Sequence, residues 1–404
     1  MAETTSTHAV LSPSGADRWM TCQGSVILSD GIPDTTSEFA EEGTDYHELA
    51  AVCLDNGTSA LDYVGHALPS GRVVTEDNAR MLQDGYIEVV RGYEAHGSLQ
   101  IEQSVSLTWY TGKPKDKGTS DAVILGTDRE LIVADLKFGR GVEVSPEQNR
   151  QCMIYAISLI IEQELQGEFD QVRLVICQPR AGEGKPQEWV ISMTDLFIFG
   201  DKVRRAAQEI DNGVAHHGKT KVNVLPFTPS EKACRFCKAK GICPALGNFV
   251  DETLATGFEA IVSPDLGAAM DKTDLVEIWM KGVRARVESE LLAGRAVTGY
   301  KLVQGKKGNR KWTDEAEVTK LFKSFRLKTR EMYDLSLISP TTADKLLAKD
   351  FPQRWEKVVP LYAQAPGGPS VAKASDKRAT YEPPAPTIDG FVVEVPLIDC
   401  SDLV

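Results

Sequence analysis

The chain has 404 residues, 42% of them hydrophobic and 25% charged, the balance of an ordinary globular protein long enough for more than one core. A net charge of −13 excludes a generally basic nucleic-acid coat, so contact with nucleic acid would rest on local patches and bound metal ions. No run approaches the roughly eighteen apolar residues of a membrane span, and the stretch from Met1 to Ser14 lacks the basic start and apolar middle of a signal peptide. A cytoplasmic protein with no membrane partner is expected.

In chain order, Ala40, His47, Leu49, Ala50 and Cys53 recur at roughly helical spacing and predict a helix over 36–56, followed by another over 76–96. Three short β-rich runs come next, at 100–109, 119–125 and 130–137, divided by turns bearing Gly, Pro and Asp. Residues 146–165 read as one long helix with Ser145 as N-cap and Pro146 at its first position. Strands at 172–178 and 188–192 complete an α/β unit with a mixed central sheet flanked by helices.

Past the cysteines of 234–243, Leu275, Ile278, Trp279, Val283, Val287 and Leu291 form one apolar stripe, ended by Gly294. A short strand at 300–304 and helices at 314–325 and 340–349 are expected after it. Beyond Pro360 the chain is rich in Pro, Gly, Ser and Ala and reads as a flexible tail, whose acidic and apolar end at 391–404 suits docking on a partner. The expected division is an α/β domain with the cysteines at 1–254, a mainly helical extension at 255–359, and the tail at 360–404. Two basic loops stand out from the acidic whole: Lys113, Lys115 and Lys117, and Lys301, Lys306, Lys307, Arg310 and Lys311.

The chemistry centres on Gly118-Thr119-Ser120-Asp121 and on Asp135-Leu136-Lys137. Alternation along a strand turns Asp135 and Lys137 to one face and Leu136 to the other. The turn at 126–129 folds the two strands together, so that Asp121 can approach Asp135. Two carboxylates converging from adjacent strands form a hard oxygen site suited to Mg²⁺ or Mn²⁺, and the lysine can hold a water or stabilise charge on a phosphate. Taken alone, Asp-x-Lys also describes an ordinary strand-end ion pair. Gln151 and Tyr155, one helical turn apart, add an amide and a phenol that could meet a nucleic-acid strand. His47, upstream on its helix, could complete a Mn²⁺-tolerant site.

His47, the Gly-Thr-Ser-Asp run ending at Asp121, Asp-Leu-Lys at 135–137 and Gln-x-x-x-Tyr at 151–155 together resemble the RecB-like branch of the PD-(D/E)xK nucleases. That branch includes AddB-type and CRISPR-adaptation nucleases. The resemblance implies a restriction-endonuclease-like core. In it His47, Asp121, Asp135 and the Leu136 carbonyl bind metal, Lys137 is catalytic, and Gln151 and Tyr155 position DNA.

Cys234, Cys237 and Cys243 lie in one short loop, and Cys22, in a polar turn-like stretch, is the best fourth ligand. Cys53 is its rival, but like Cys152 and Cys177 it sits in an apolar stretch and reads as a small buried hydrophobe. One cysteine before the core and three after it resemble the [4Fe–4S] staple of the same nucleases, with Zn²⁺ on the same ligands as the alternative. Ser12-Pro13-Ser14, Arg18-Trp19, Gly299-Tyr300-Lys301-Leu302 and Arg310-Lys311-Trp312-Thr313-Asp314 further resemble an uncharacterised family common in phages and prophages. That likeness implies DNA recombination or replication beside a single-strand-binding or annealing protein. The expectation is a Mg²⁺- or Mn²⁺-dependent deoxyribonuclease, an exonuclease in preference to an endonuclease. A catalytically silent DNA-binding scaffold and a zinc-stapled nuclease acting on RNA are the alternatives.

Overall fold

The computed structural model describes residues 9–33, 38–139, 142–256 and 266–301, and further on 303, 319–320, 323–324, 328, 343, 347–348, 351–359, 387–388 and 391–392. The chain divides into two compact units, Met1–Gln304 and Gly305–Val404. In the first, two short helices, α1 (Ala16–Thr21) and α2 (Gly24–Leu28), precede α3 (Glu38–Asn56), α4 (Glu76–Leu82) and α5 (Glu88–Glu94). Then come β1 (Gly97–Ser106), α6 (Thr108–Thr111), β2 (Lys117–Gly126), β3 (Glu130–Leu136), α7 (Arg150–Glu162), β4 (Gln171–Cys177), β5 (Gln187–Ser192) and α8 (Met193–Thr220). Helices α9 (Glu231–Arg235), α10 (Pro244–Thr256) and α11 (Leu266–Leu292) follow. In the second unit the described elements are α12 (Pro352–Val358) and an antiparallel pair, β6 (Thr387–Ile388) and β7 (Phe391–Val392).

The five strands form one mixed sheet in the order β1-β2-β3-β4-β5, with β3 and β4 parallel and every other pair antiparallel. A parallel pair needs a crossover, and α7 lies within it. Every residue of β3 is buried, because helices cover both faces. Leu131 and Val133 enter the core formed with α7 and α8, while Ile132, Ala134 and Leu136 enter the core formed with α3, α4 and α5. Each large apolar side chain so buried contributes about 1.5–3 kcal/mol, enough together to hold a strand that also carries a buried carboxylate. Period-two alternation puts Asp135 on the α7 face, the face from which Gln151 projects.

Several expected elements differ in detail. The helix expected over 76–96 is interrupted by a π-helical turn at Gln83–Ile87. Helix α7 begins at Arg150, and its N-cap is Asn149, whose side chain accepts from the Cys152 amide. Ser145 and Pro146 open a separate turn, closed by Glu147 N–H to Ser145 Oγ and Asn149 N–H to the Pro146 carbonyl. Gln148 follows at φ +53°, a conformation no helix can continue through. Of the strand expected at 300–304, Tyr300 forms an isolated bridge with Val297, positions 301 and 303 belong to no strand, and the other two lie outside the described residues. The long α8 received no assignment from sequence. Of the helices expected at 314–325 and 340–349, the described residues 319–320, 323–324, 343 and 347 are helical. The rest of both, the basic positions 306–311, Cys400 and most of the tail lie outside the described residues. No helix among the described residues is long and apolar enough to cross a membrane.

Candidate functional site

The ladder between β2 and β3 stops at Ala122–Ala134, and the next opposed residues are Asp121 and Asp135. There the Leu136 amide donates to Asp121 Oδ2 at 2.7 Å, so a carboxylate takes the place of a strand carbonyl. That bond pins Asp121 at the mouth of the splayed pair. It lies at the C-terminal end of parallel strand β3, where α/β sheets open crevices.

Asp135 is 2% exposed, and its charge is not left alone. Lys137 Nζ lies 2.8 Å from Asp135 Oδ2, Gln151 Nε2 donates to Asp135 Oδ1 at 3.0 Å, and Lys137 Nζ donates to Gln151 Oε1 at 3.0 Å. The three side chains close a ring. Burial raises the Asp135 carboxyl above its ordinary range, with Lys137 opposing the rise. Burial alone would lower Lys137, but Asp135 more than offsets it, and the ammonium is held above the usual lysine range. Lys137 therefore stays charged.

Gln151 and Tyr155 were both expected to touch a nucleic-acid strand. Gln151 instead commits its amide to Asp135 and Lys137, and its Nε2 reaches the Tyr155 hydroxyl at 3.4 Å. Tyr155 is 7% exposed and packs in the α7–α8 core. In this conformation the two hold the Asp135–Lys137 couple.

His47 arrives from α3, which is fastened to the strand end on several sides. Tyr46 stacks on Phe138, one residue past Lys137, with ring centroids 4.1 Å apart. Asn78 donates to the Tyr46 hydroxyl at 2.9 Å, and Glu42 pairs with Arg180 at 2.9 Å. His47 Nδ1 then lies 3.2 Å from Asp121 Oδ1. Burial works against the imidazolium, but the hydrogen bond and charge of Asp121 outweigh it and raise the His47 pKa.

Sequence reasoning missed Glu102. In the β1–β2 register Ile101 opposes Ala122 and Gln103 opposes Ser120, which sets Glu102 opposite Asp121. Glu102 has φ +47°, a left-handed conformation rare for glutamate. Ile101 and Ala122 pack against α3–α5, whereas Val105 packs with α7 and α8, so β1 changes face across this residue. Such strain persists only where the surroundings impose it, and it clusters at functional sites. Ligand atoms of His47, Glu102 and Asp121 all lie within 4.8 Å of one another, a nitrogen and two carboxylates that fit a divalent ion such as Mn²⁺ or Mg²⁺. Burial and the neighbouring Asp121 raise the Glu102 carboxyl.

A second unanticipated residue is Tyr86, on the π-helical turn. Its hydroxyl is buried with no hydrogen-bond partner among the described residues, and its pKa is raised well above the ordinary value by burial and then by Asp121. π-turns within helices recur at functional sites. The alternation and turn signals used on the sequence cannot reveal either Glu102 or Tyr86, since both depend on register and packing.

The cysteines separate as expected into two groups. Cys53, Cys152 and Cys177 are buried in the sheet cores. Cys22, at the end of α1, meets the segment before α9: Gly24 N–H donates to the Pro226 carbonyl at 2.9 Å and Thr228 N–H to Cys22 Sγ at 3.4 Å. A Cβ on Gly24 would come 2.9 Å from the Phe227 ring, so this strap needs glycine. Burial pushes the Cys234 thiol up to about 11, with Cys237, Cys22 and Cys243 adding to the rise. Cys243 is raised in the same way by burial, Cys22 and Cys237. Burial sets Cys234 and Cys243 against ionisation unless a cation is present, which suits a thiolate-bound metal or cluster. Leu246 and Leu275 pack beside Cys234, and Cys243, Ile278 and Trp279 join them, so α10 and α11 cover this centre.

A family model described as "Protein of unknown function (DUF2800)" matches residues 8–379. The chain belongs to the DUF2800 family. The match takes in all the residues of both centres just described. Among solved structures, this DUF2800 chain is similar to one titled "Crystal structure of SSO0001", at 18% identity over 54% of this chain and 92% of that one. The TM-score is 0.25, a likeness too slight to draw on.

Proposed function

We propose that this DUF2800 chain is a Mg²⁺- or Mn²⁺-dependent DNA nuclease of the RecB-like PD-(D/E)xK kind, acting as an exonuclease in phage-type recombination or replication. The observation that carries the reading is the convergence of His47, Glu102 and Asp121 beside the closed ring of Asp135, Lys137 and Gln151. A structural ion pair alone would need no histidine and no strained glutamate next to it.

His47, Glu102 and Asp121 would hold the divalent ion, with Asp135 and the Leu136 carbonyl as the further ligands that the resemblance implies. When bound, the ion supplies Lewis acidity and lowers the pKa of water at the scissile phosphate. Lys137, kept charged by Asp135, would stabilise negative charge on the phosphate oxygens, which is electrostatic assistance more than proton abstraction. Gln151 orients that ammonium, and Tyr155 steadies Gln151. Cys22, Cys234, Cys237 and Cys243 would carry a [4Fe–4S] cluster, favoured over Zn²⁺ because three ligands share one loop and the fourth lies far upstream.

The test is to incubate the pure protein with end-labelled single- and double-stranded DNA and Mn²⁺. Asp121→Asn and Lys137→Gln should each abolish cleavage. Near-normal rates in both variants would overturn the assignment. Anaerobically purified protein should be brown and contain iron with acid-labile sulfide; colourless protein with one equivalent of zinc would overturn the cluster and keep the ligands.

A further inference from the structure

The cysteine centre presents an outward surface that the proposed chemistry does not use. Between Cys234 and Cys237 stands Phe236, 76% exposed, the most exposed of the large hydrophobic side chains among the described residues. A lone exposed apolar residue is ordinary. The setting of this one is not. Residues 218–243 hold Lys219, Lys221, Lys232, Arg235, Lys238 and Lys240 against a single acid, Glu231, in a chain whose net charge is −13.

The loop has little freedom to hide the ring. Cys234, Cys237 and Ala239 point inward and are buried, and Cys237 N–H donates to the Cys234 carbonyl at 3.1 Å. Between these anchors Phe236 and Lys238 are turned outward and exposed, as are Lys232 before them and Ile242 after. Lys240 braces the loop from within by donating to the Arg235 carbonyl at 2.7 Å. An aromatic face held rigidly among lysines and an arginine is the make-up of a single-strand platform. Bases stack on the ring while ammonium and guanidinium groups follow the phosphates. A lipid surface would call for several apolar side chains on one amphipathic element, and only Phe236 and Ile242 project here.

The loop is also tied to the candidate active site. Cys22 ends α1, and Thr21 beside it accepts from Arg150 Nη1 at 2.9 Å, one residue before Gln151. Asp17 on the same helix lies 3.4 Å from Arg150 Nε.

We propose that the loop 231–243 binds single-stranded nucleic acid, with Phe236 stacking on a base and the exposed Lys232 and Lys238 following its phosphates, while Arg235 is paired with Glu231. The proposal deepens the nuclease reading by assigning a path to the substrate strand, and it is measured without cleavage. Full-length protein would be titrated, in buffer free of divalent ions, against a fluorescent oligothymidylate, comparing wild type with Phe236→Ala, Phe236→Leu and Phe236→Trp. Ala and Leu should weaken binding by about 5- to 150-fold, the range of one base stack, while Trp keeps it. The double variant Lys232→Ala with Lys238→Ala should flatten the salt dependence by about 1.4 in log–log slope.

Equal binding by wild type, Ala and Leu would overturn the platform, even if the protein cuts DNA with Mn²⁺. Leu binding as tightly as wild type while Ala fails would overturn stacking and leave a plain apolar contact. Phe236-dependent binding to phosphatidylserine vesicles, with oligonucleotide binding the same in wild type and Phe236→Ala, would overturn it in favour of a membrane surface. Phe236-dependent oligonucleotide binding by a protein that never cleaves would support the platform and overturn the nuclease reading alone.

Discussion

The sheet-end centre and the cysteine centre are built by opposite means. Asp121 and Asp135 sit on neighbouring strands, with Lys137 just past the end of β3, positioned by a backbone ladder and by apolar cores on both faces of β3. Their charges already have partners: Asp135 has Lys137 and Gln151, and Asp121 has His47 and the Leu136 amide. The cysteine centre brings Cys22 to Cys234, Cys237 and Cys243 across most of the unit, on short helix ends with a small apolar cover of Leu246 and Leu275. Burial and then the neighbouring cysteines raise the Cys234 and Cys243 thiols above their ordinary pKa. The first centre can stand before any ion binds, whereas the second is expected to need one.

The largest expected effect breaks the second centre. If the cysteines carry the proposed metal, Cys22→Ala or Cys234→Ala should remove it and destabilise the Met1–Gln304 unit by several kcal/mol, because metal affinity at such a site is folding free energy. In thermal melts the midpoint should fall by roughly 10 °C or more. Cys53→Ala and Cys152→Ala serve as controls that keep the full metal content. Equal metal content in Cys234→Ala and wild type would erase the contrast.

Next comes the ring at the first centre. Lys137→Ala leaves the Asp135 carboxylate buried without its cation and should cost about 3–5 kcal/mol in divalent-free buffer. Mn²⁺ should recover part of that loss by replacing the missing positive charge, read as a larger metal-induced rise in midpoint than in wild type. A variant as stable as wild type would show that the ring is not needed to hold Asp135.

A smaller effect concerns His47. Its folded pKa is raised above the ordinary 6.5, chiefly by Asp121 against the opposing effect of burial. The ion pair with Asp121 therefore contributes its full stability below that ordinary value and loses it as pH rises through the raised one. Over the same window the imidazole becomes neutral and able to ligate, so Mn²⁺ affinity should rise as metal-free stability falls. Titration calorimetry and melts from about pH 5.5 to about 8.5 should show these opposed trends, and His47→Ala should flatten both. Parallel trends in the wild type would remove His47 from the ion's ligands.

The smallest effect is at Tyr86. Removing a buried hydroxyl that lacks a partner should leave the metal-free protein as stable or more stable by about 1 kcal/mol in Tyr86→Phe, measured by urea unfolding. A clear destabilisation would mean that the hydroxyl is hydrogen-bonded in solution.

Much of this was legible in the chain because it is local. The hairpin of β2 and β3 needs only a turn at 126–129 between two apolar runs, and alternation then orients Asp135 and Lys137. Helix α8 was legible as well and went unread: Ser192 caps it, and Leu196, Gly200, Val203, Ala207 and Ile210 recur at helical spacing. The start of α7 was misplaced because Ser145-Pro146 and Asn149 offer rival caps four residues apart. The left-handed Gln148 between them decides in favour of Asn149.

Sequence by itself determined the α/β order of elements, the facing of Asp135 and Lys137, and the sorting of cysteines into a buried group and a clustered group, since spacing and flanking polarity carry each of these. Only the tertiary structure decided that Glu102 lies opposite Asp121, because strand register and a left-handed backbone are set by packing on both faces of the sheet. It likewise set Gln151 on the Asp135–Lys137 couple, with Tyr155 beside it. A buried charge takes the nearest donors available, and α7 brings Gln151 within 3.0 Å.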